Sequence, residues 1–383
     1  MHVTSMDGST ISLLSLIKGL KEKGVECYVA YPGKRTNYNF ESKFAPYVKK
    51  CYPANIQTSI RAGTLYRKKG LKRAINKVIC GLQPLSNYLE YLDLKKIVRE
   101  VKPDIIHSNS GVIQGGYSIS KKLRIHHVWH LREYQDRDFL FHFVPSKKQF
   151  IKDLHDSYVI TITKDILEYF NLRDSSKARC IYDGCLSKSE VNLSLPKEKY
   201  FFCSTRIDPA KGHVETIEAF SQFHKKYPEY KLLIAGEGPQ DYVRKLQELS
   251  KKLKCAEAVK FLGFQKDVRN LMDRAMALIV ASRFEGFGRM TAEAAFRGCM
   301  VIGKNTGGTK EILGQIGDFS YNGNSQELES AMEKVAKMSE AKYSDIVKKA
   351  QSIAVERFSN EQNVEYTYDF YKEIVNADCE NVL

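Results

Sequence analysis

Two carboxylates and two glycines share one short segment, Ser282-Arg283-Phe284-Glu285-Gly286-Phe287-Gly288-Arg289-Met290-Thr291-Ala292-Glu293-Ala294. Seven residues separate Glu285 from Glu293, and between them lie a Gly-x-Gly turn and the start of a helical stretch. Gly286 and Gly288 let the backbone come close to a ligand. The first N–H groups of the helix, around Arg289, Met290 and Thr291, would cradle a phosphate at the positive end of the helix dipole. Glu285 is suited to accept hydrogen bonds from sugar hydroxyls, and Glu293 to hold a ribose diol through both carboxylate oxygens. A carboxylate on either side of a phosphate-binding helix start is the layout that a nucleotide-sugar requires.

Two cations extend this anion site. In Thr205-Arg206-Ile207-Asp208-Pro209-Ala210-Lys211-Gly212, a turn beyond a strand carries Arg206 and Lys211. Together they would stabilise the charge that develops on a departing diphosphate. Alone, such a pair is ordinary surface charge; in the same sheet as Glu285 and Glu293 it reads as functional. A dinucleotide fingerprint is the rival and fits poorly. The third glycine position is Thr291, the next acid after Glu293 is Glu311, and Gly236-Glu237-Gly238-Pro239 also fails the pattern.

These residues need strands to carry them, and the chain alternates strand and helix patterns. In the second half, strands are expected at 200–204, 231–235, 259–262, 278–281 and 300–303, with amphipathic helices between them. In the first half, Leu13, Leu16, Ile17 and Leu20 recur at helical spacing up to Gly24, followed by a strand at 25–31 and further short strands at 104–107 and 158–161. Such alternation implies an α/β fold with parallel sheets covered on both faces, and ligands bind outside the carboxyl ends of such strands. The expected domains are 1–190 and 196–355, joined by the polar stretch 187–196, with an aromatic-rich terminal helix inside 359–383.

The composition is that of a folded globular protein: 383 residues, 43% hydrophobic and 27% charged. No apolar run approaches the ~20 residues that a membrane span needs. The start shows no basic-then-apolar leader. Nine cysteines stand singly, without C-x-x-C pairs, which argues for reduced thiols in a cytoplasmic protein rather than a disulfide framework or zinc site. The net charge of +15 is uneven, with 32 Lys and Arg against 18 Asp and Glu up to Glu190. No acid lies between Glu41 and Glu90, while Lys43, Lys49, Lys50, Arg61, Arg67, Lys68, Lys69, Lys72, Arg73 and Lys77 all do. That face suits an anionic partner, and a solvated surface is the plain alternative.

The order of these motifs resembles glycosyltransferase family 4. Arg206 and Lys211-Gly212 come first, then Leu233-Ile234-Ala235-Gly236-Glu237-Gly238-Pro239 and Phe261-Leu262-Gly263. Glu285 and Glu293 follow, and last Val301-Ile302-Gly303 with Gly307-Gly308-Thr309-Lys310-Glu311. The match covers about 200–313. Weaker echoes are Asp7-Gly8-Ser9, Trp129-His130-Leu131-Arg132-Glu133 and Ile181-Tyr182-Asp183-Gly184. The resemblance implies a retaining enzyme of GT-B fold, two Rossmann-like domains whose parallel sheets face across a cleft, with the last helix crossing back to the N-terminal domain. It implies catalytic roles for Glu285, His130, Arg206 and Lys211. The donor site would comprise Arg206, Lys211, Gly236, Gly263, Phe264, Glu285, Gly286, Phe287, Gly288, Arg289, Met290, Thr291 and Glu293. Asp7, Gly8, Ser9, Arg132 and Glu133 would serve the cleft and the acceptor. Two departures stand out: only four residues precede Ser5, leaving a short first strand, and Asp7 or Ser9 stands where the family's N-terminal loop has a second glycine.

The function this implies is transfer of a hexose-type sugar from a nucleotide-diphosphate-sugar to a glycan or lipid-linked acceptor, without cofactor or metal. The basic first half would meet an anionic membrane surface, making the protein cytoplasmic or peripheral at the inner face of the plasma membrane. A GT-B epimerase or phosphorylase is the alternative enzyme. A nucleic-acid-binding protein is the non-enzyme alternative and lacks any recognisable signature. Asp136-Arg137-Asp138 spells a metal-binding D-x-D but lies in a polar loop, and His126, His127 and Trp129 read as packed residues.

Overall fold

The computed structural model describes the chain apart from residues 34–37, 59, 63–82, 140, 192–195, 318 and 381–383. It forms two compact units, one of Met1–Gly184 with Asn360–Leu383 and the other of Cys185–Ser359. The boundary therefore precedes the polar stretch 187–196. Residue 190 is anchored within the second unit: Glu190 accepts from Ser187 N at 2.8 Å, pairs with Arg269 at 3.1 Å, and its carbonyl takes an Arg297 N–H at 2.8 Å. In the first unit, a Cβ on Gly184 would come within 2.7 Å of Asn360 Cα, so the outgoing and returning chain segments run side by side.

The strands of the first unit are β1 (Tyr28–Pro32), β2 (Lys50–Ala54), β3 (Ile60–Ala62), β4 (Ile105–Ser108), β5 (His126–Leu131), β6 (Phe141–Phe143), β7 (Tyr158–Thr161) and β8 (Ala178–Cys180). β4, β5, β7 and β8 form a parallel sheet in that order; β1 and β2 pair in parallel, and β3 and β6 pair antiparallel. β1 starts later than the apolar run suggests, because Val25 N still bonds back to Leu20 O at 3.0 Å as the Gly8–Glu22 helix unwinds. That helix buries Leu13, Leu16, Ile17 and Leu20. The Asn360–Glu380 helix packs on it closely enough that a Cβ on Gly19 would lie 2.4 Å from Val364. Phe370 and Ile374 of the same helix cover Val128 and Ile160 of the sheet.

The second unit holds β9 (Glu198–Ser204), β10 (Lys231–Ala235), β11 (Val259–Gly263), β12 (Ala275–Val280), β13 (Val301–Lys304) and β14 (Phe319–Tyr321). All run parallel, in the order β11-β10-β9-β12-β13-β14. The inner strands are near-continuous apolar runs, with Phe201, Phe202, Leu278 and Ile302 all buried, as expected of strands covered on both faces. From β9 the chain winds outward through β10 and β11, then returns to the other side of β9 with β12. The reversal puts a crevice at the carboxyl ends of β9 and β12. No helix among the described residues is long and apolar enough to cross a membrane.

Candidate functional site

The loops after β9 and β12 meet at that crevice. Asp208 caps the Pro209–Lys211 turn by accepting from Ala210 N at 2.9 Å. Gly212 then adopts φ +73°, and a Cβ there would sit 2.1 Å from the Ala281 carbonyl, so only glycine lets the His213–Lys226 helix start against the end of β12. Arg283 N donates to Ala210 O at 2.8 Å and ties the two loops together. Across this junction Lys211 Nζ meets Glu285 Oε1 at 2.6 Å. The pair lines a cavity of about 120 Å³ with Ser204, Thr205, His213, Gly288, Arg289 and Met290.

The Glu285 loop is fixed from its other side by the Gly307–Ile316 helix. Gly308 N donates to Glu285 O at 2.9 Å, and a Cβ on Gly308 would lie 2.2 Å from Phe287 O. The Gly307-Gly308-Thr309 motif is thus a close-packing device beneath the site. The Arg289–Phe296 helix starts after Gly288, and its first turn departs from expectation. Thr291 N is already bonded to Gly288 O at 2.9 Å, and Thr291 is fully buried, so it offers no N–H to a phosphate. Glu293 pairs with Arg289 at 2.6 Å, while Arg289 also donates to the Cys185 carbonyl at 2.6 Å. Burial raises the Glu293 carboxyl above its ordinary value against the opposing pull of Arg289.

The remaining expected donor residues lie around this cavity rather than in its lining. Arg206 is exposed beyond β9. Gly236 serves packing: a Cβ there would be 2.0 Å from Thr205 O. Gly263 ends β11, and Phe264 beside it is 68% exposed. Gly286 is half-buried, whereas Phe287 turns inward and meets Phe358 edge-on at 5.9 Å. The sequence reading missed His213 and Thr216, both in the lining. A histidine directly after Lys211-Gly212, at the start of a helix, was the available signal for the first.

In the first unit Asp7 acts as a helix cap. Its carboxylate accepts from Ser5 Oγ at 2.9 Å, Ser9 Oγ at 2.8 Å and Thr10 N at 3.2 Å, ahead of exposed Gly8. His130 is fully buried on β5, its Nδ1 3.2 Å from His107 Nε2. Arg132 grips Asp183 with NH1 at 2.6 and 2.5 Å and donates through Nε to Asn109 at 3.0 Å. Glu133 is buried and bonded to the Ser110 hydroxyl; burial pushes its carboxyl up to about 7 despite that bond. The D-x-D carboxylates are engaged elsewhere. Asp136 takes Lys147 at 3.3 Å and the Tyr169 hydroxyl, and Asp138 accepts Tyr134 N at 2.9 Å. No group of three or more His, Cys, Asp or Glu among the described residues is placed to hold a metal. His127 bonds Ser108 Oγ at 2.9 Å and stacks edge-on against the buried Trp129, while His126 meets Tyr158 edge-on.

The basic run is less uniform than its sequence. Lys49 pairs with Glu26 and Lys50 with Glu100, each at 2.8 Å, so acids from outside the run neutralise its start. Arg67, Lys68, Lys69, Lys72, Arg73 and Lys77 lie outside the described residues.

Comparison with known proteins fits this geometry. Residues 187–353 match the family described as glycosyl transferases group 1. N-acetyl-alpha-D-glucosaminyl L-malate synthase of Bacillus anthracis is 28% identical over 171 residues, 45% of this chain and 43% of that protein. Poly(glycerol-phosphate) alpha-glucosyltransferase of Bacillus subtilis is 29% identical over 148 residues, 38% of this chain and 22% of that protein. The chain thus matches less than half the length of these curated relatives. Among solved structures, HepE of Anabaena in complex with UDP superposes with a TM-score of 0.78 at 19% identity, covering 97% of this chain and 98% of that one. A sucrose-phosphate synthase from Thermosynechococcus elongatus gives 0.72 at 15% identity, covering 98% and 95%. These likenesses show the fold, the GT-B class built of two Rossmann-like units. Residues 187–353, which carry the crevice and its Lys211–Glu285 pair, are the part of the chain that matches the glycosyl transferases group 1 family.

Proposed function

We propose that the protein is a glycosyltransferase that moves a hexose-type sugar from a nucleotide-diphosphate-sugar to a glycan or lipid-linked acceptor, with retention of anomeric configuration. The Lys211–Glu285 pair carries this reading: a cation and a carboxylate 2.6 Å apart, on loops locked together at the strand crossover. A diphosphate bound at Lys211 competes for the ammonium and releases Glu285 to accept from sugar hydroxyls. Arg206 joins Lys211 on the leaving diphosphate, Glu293 takes the ribose, and His130 positions the sugar or the acceptor. Asp7, Gly8, Ser9, Arg132 and Glu133 are assigned to the acceptor. Charge stabilisation falls to Arg206 and Lys211 rather than to a metal or cofactor. As the sugar–oxygen bond breaks, the departing diphosphate oxygen gains negative charge and takes the acceptor hydroxyl's proton on the same face. The acceptor oxygen then closes on the anomeric carbon, and positioning supplies much of the rate. The family match and the UDP and UDP-glucose found with HepE support a nucleotide-sugar donor.

A panel of nucleotide-sugars and nucleoside diphosphates, read by thermal shift, tests the donor. A ligand at a hundred times its Kd adds about 2.7 kcal/mol to the folded state. Stabilisation by none of them sinks the reading, and a sugar altered with no acceptor present favours an epimerase. An anionic membrane docked by the basic run is part of the proposal. Sedimentation with anionic but not neutral vesicles, lost when Arg67, Lys68, Lys69, Lys72 and Arg73 become Ser or Gln, is the expected result.

A further inference from the structure

Three rings of the first unit form a chain of hydrogen bonds: half-buried His107 on β4, fully buried His130 on β5 and half-buried Tyr371 on the Asn360–Glu380 helix. The β4–β5 register sets His107 opposite Val128, two residues before His130, so both imidazoles leave the same face of the sheet. That face is the one the terminal helix covers, through Phe370 and Ile374. The Tyr371 hydroxyl lies 2.6 Å from His107 Nδ1, and His107 Nε2 lies 3.2 Å from His130 Nδ1.

The proton on each nitrogen follows from the partner that can only donate. A guanidinium has no acceptor. Arg132 NH2 approaches His130 Nδ1 at 3.5 Å, a long contact, while its other N–H groups serve Asn109 and Asp183. His130 Nδ1 must therefore offer a lone pair. The contact with His107 is then a bond only if His107 Nε2 carries the proton. That leaves His107 Nδ1 as acceptor and the Tyr371 phenol as donor. Both imidazoles stay neutral: burial, reinforced by Arg132, holds His107 down to about 3 and His130 well below its ordinary value. Burial raises Tyr371, so its phenol keeps the proton. What remains is the Nε2–H of His130, buried without a hydrogen-bond partner and 4.0 Å from Asp183 Oδ1. One hydroxyl oxygen can lie about 2.8 Å from both atoms, accepting from the imidazole and donating to the carboxylate. An anion would meet the Asp183 charge instead.

We propose that Tyr371, His107 and Arg132 are positioning residues that lock His130 in its Nε2–H tautomer and present that N–H, with the Asp183 carboxylate, to a carbohydrate hydroxyl. The ligand class rests on the proposed function; the lock does not. The terminal helix would thus complete the site chemically as well as pack against the sheet.

The lock is tested by imidazole 15N NMR on the full chain, with His130→Gln and His107→Gln spectra for assignment. Between pH 6 and 8 both rings should show a protonated Nε2 and a bare Nδ1. Tyr371→Phe keeps the packing and removes the donor, so the His107 Nδ1 resonance should move and a second His130 tautomer should appear. With the donor found by the nucleotide-sugar panel, Tyr371→Phe should slow transfer at least fivefold and leave the affinity for that donor's nucleoside diphosphate within twofold. A protonated Nδ1 or an imidazolium in the wild type, or a His130 tautomer indifferent to Tyr371→Phe, overturns the lock. A locked tautomer with unchanged transfer in Tyr371→Phe overturns the positioning role and leaves a buried water as the hydroxyl. If no nucleotide-sugar binds, the proposed function fails while the tautomer result still decides the lock.

Discussion

Two charged clusters, one in each unit, lie at very different depths. In the first, Arg132 and Asp183 keep 4% and 8% of their side-chain surface exposed. In the second, Lys211 and Glu285 keep 20% and 24%, and Arg289 and Glu293 keep 21% and 17%. Charges buried that deeply must be fully partnered for the unit to fold, and Arg132 spends its donors on Asp183, Asn109 and His130. Charges a fifth exposed hold one another loosely enough for a ligand to compete. Substitutions that break the Arg132–Asp183 pair should therefore register first in stability, and those that break the Lys211–Glu285 pair mainly in binding and turnover.

The widest break in that contrast is expected from Asp183→Asn. The change leaves the Arg132 guanidinium buried against a neutral amide, and losing one partner of a buried pair costs about 3–5 kcal/mol. Lys211→Ala removes a partly exposed pair and should cost under about 1 kcal/mol. Denaturant midpoints of the two proteins compare them directly. An Asp183→Asn protein as stable as Lys211→Ala would mean burial does not separate the two clusters.

Turnover should show the opposite ranking. Removing a charge that acts on a developing anion typically costs 10²–10³-fold, about 2.7–4 kcal/mol, and Lys211→Ala is expected in that range. Glu285→Gln keeps the shape and should damage transfer while sparing nucleoside diphosphate affinity, because its assigned partner is the sugar. Calorimetry showing lost diphosphate affinity in Glu285→Gln, and none in Lys211→Ala, would exchange the two roles.

The same contrast explains what the sequence disclosed. The β10 strand at 231–235 is legible because a parallel strand covered on both faces is one apolar run, and Glu285 is legible because a Gly-x-Gly turn follows it. β14 was not, since three residues after Gly317 carry no period. Thr291 misled because spacing cannot tell a free N–H from one folded back onto Gly288. In the first unit His130 stood out only by resemblance. Its relay was invisible: Tyr371 lies 264 residues beyond His107, and no periodicity spans a returning helix. The run without acids between Glu41 and Glu90 looked unpaired because Glu26 and Glu100 approach only in three dimensions.

Glu133 gives the first unit a pH signature. Its folded carboxyl stands at about 7, against 4.5 for the ordinary group, because burial disfavours the charge. Below pH 4.5 both folded and unfolded forms are protonated and the group is neutral to stability. Between pH 4.5 and about 7 the unfolded chain ionises while the folded carboxyl stays protonated, so stability falls by about 3 kcal/mol in all and levels off above that range. Glu133→Gln removes that penalty and can still accept from Ser110. The variant should be more stable than wild type by about 2–3 kcal/mol at pH 8 and nearly equal at pH 4.5. Equal midpoints at pH 8 would place the titration elsewhere.

The smallest effect belongs to Asp7, where the comparison is sharpest because two roles are at stake. The family resemblance puts this residue in a loop that meets the ligand. Its contacts are those of a helix cap, with one oxygen accepting from Thr10 N and Ser9 Oγ and the other from Ser5 Oγ. A carboxylate there already answers the helix dipole and would repel a phosphate arriving at the same end. Asp7→Ala should therefore cost about 1 kcal/mol of stability. Asp7→Asn keeps the accepting oxygen and should recover most of it. Neither should weaken nucleoside diphosphate binding, which is assigned to the second unit. Tighter binding in Asp7→Ala would show that the carboxylate had been repelling the ligand, and that the residue does more than cap the Gly8–Glu22 helix.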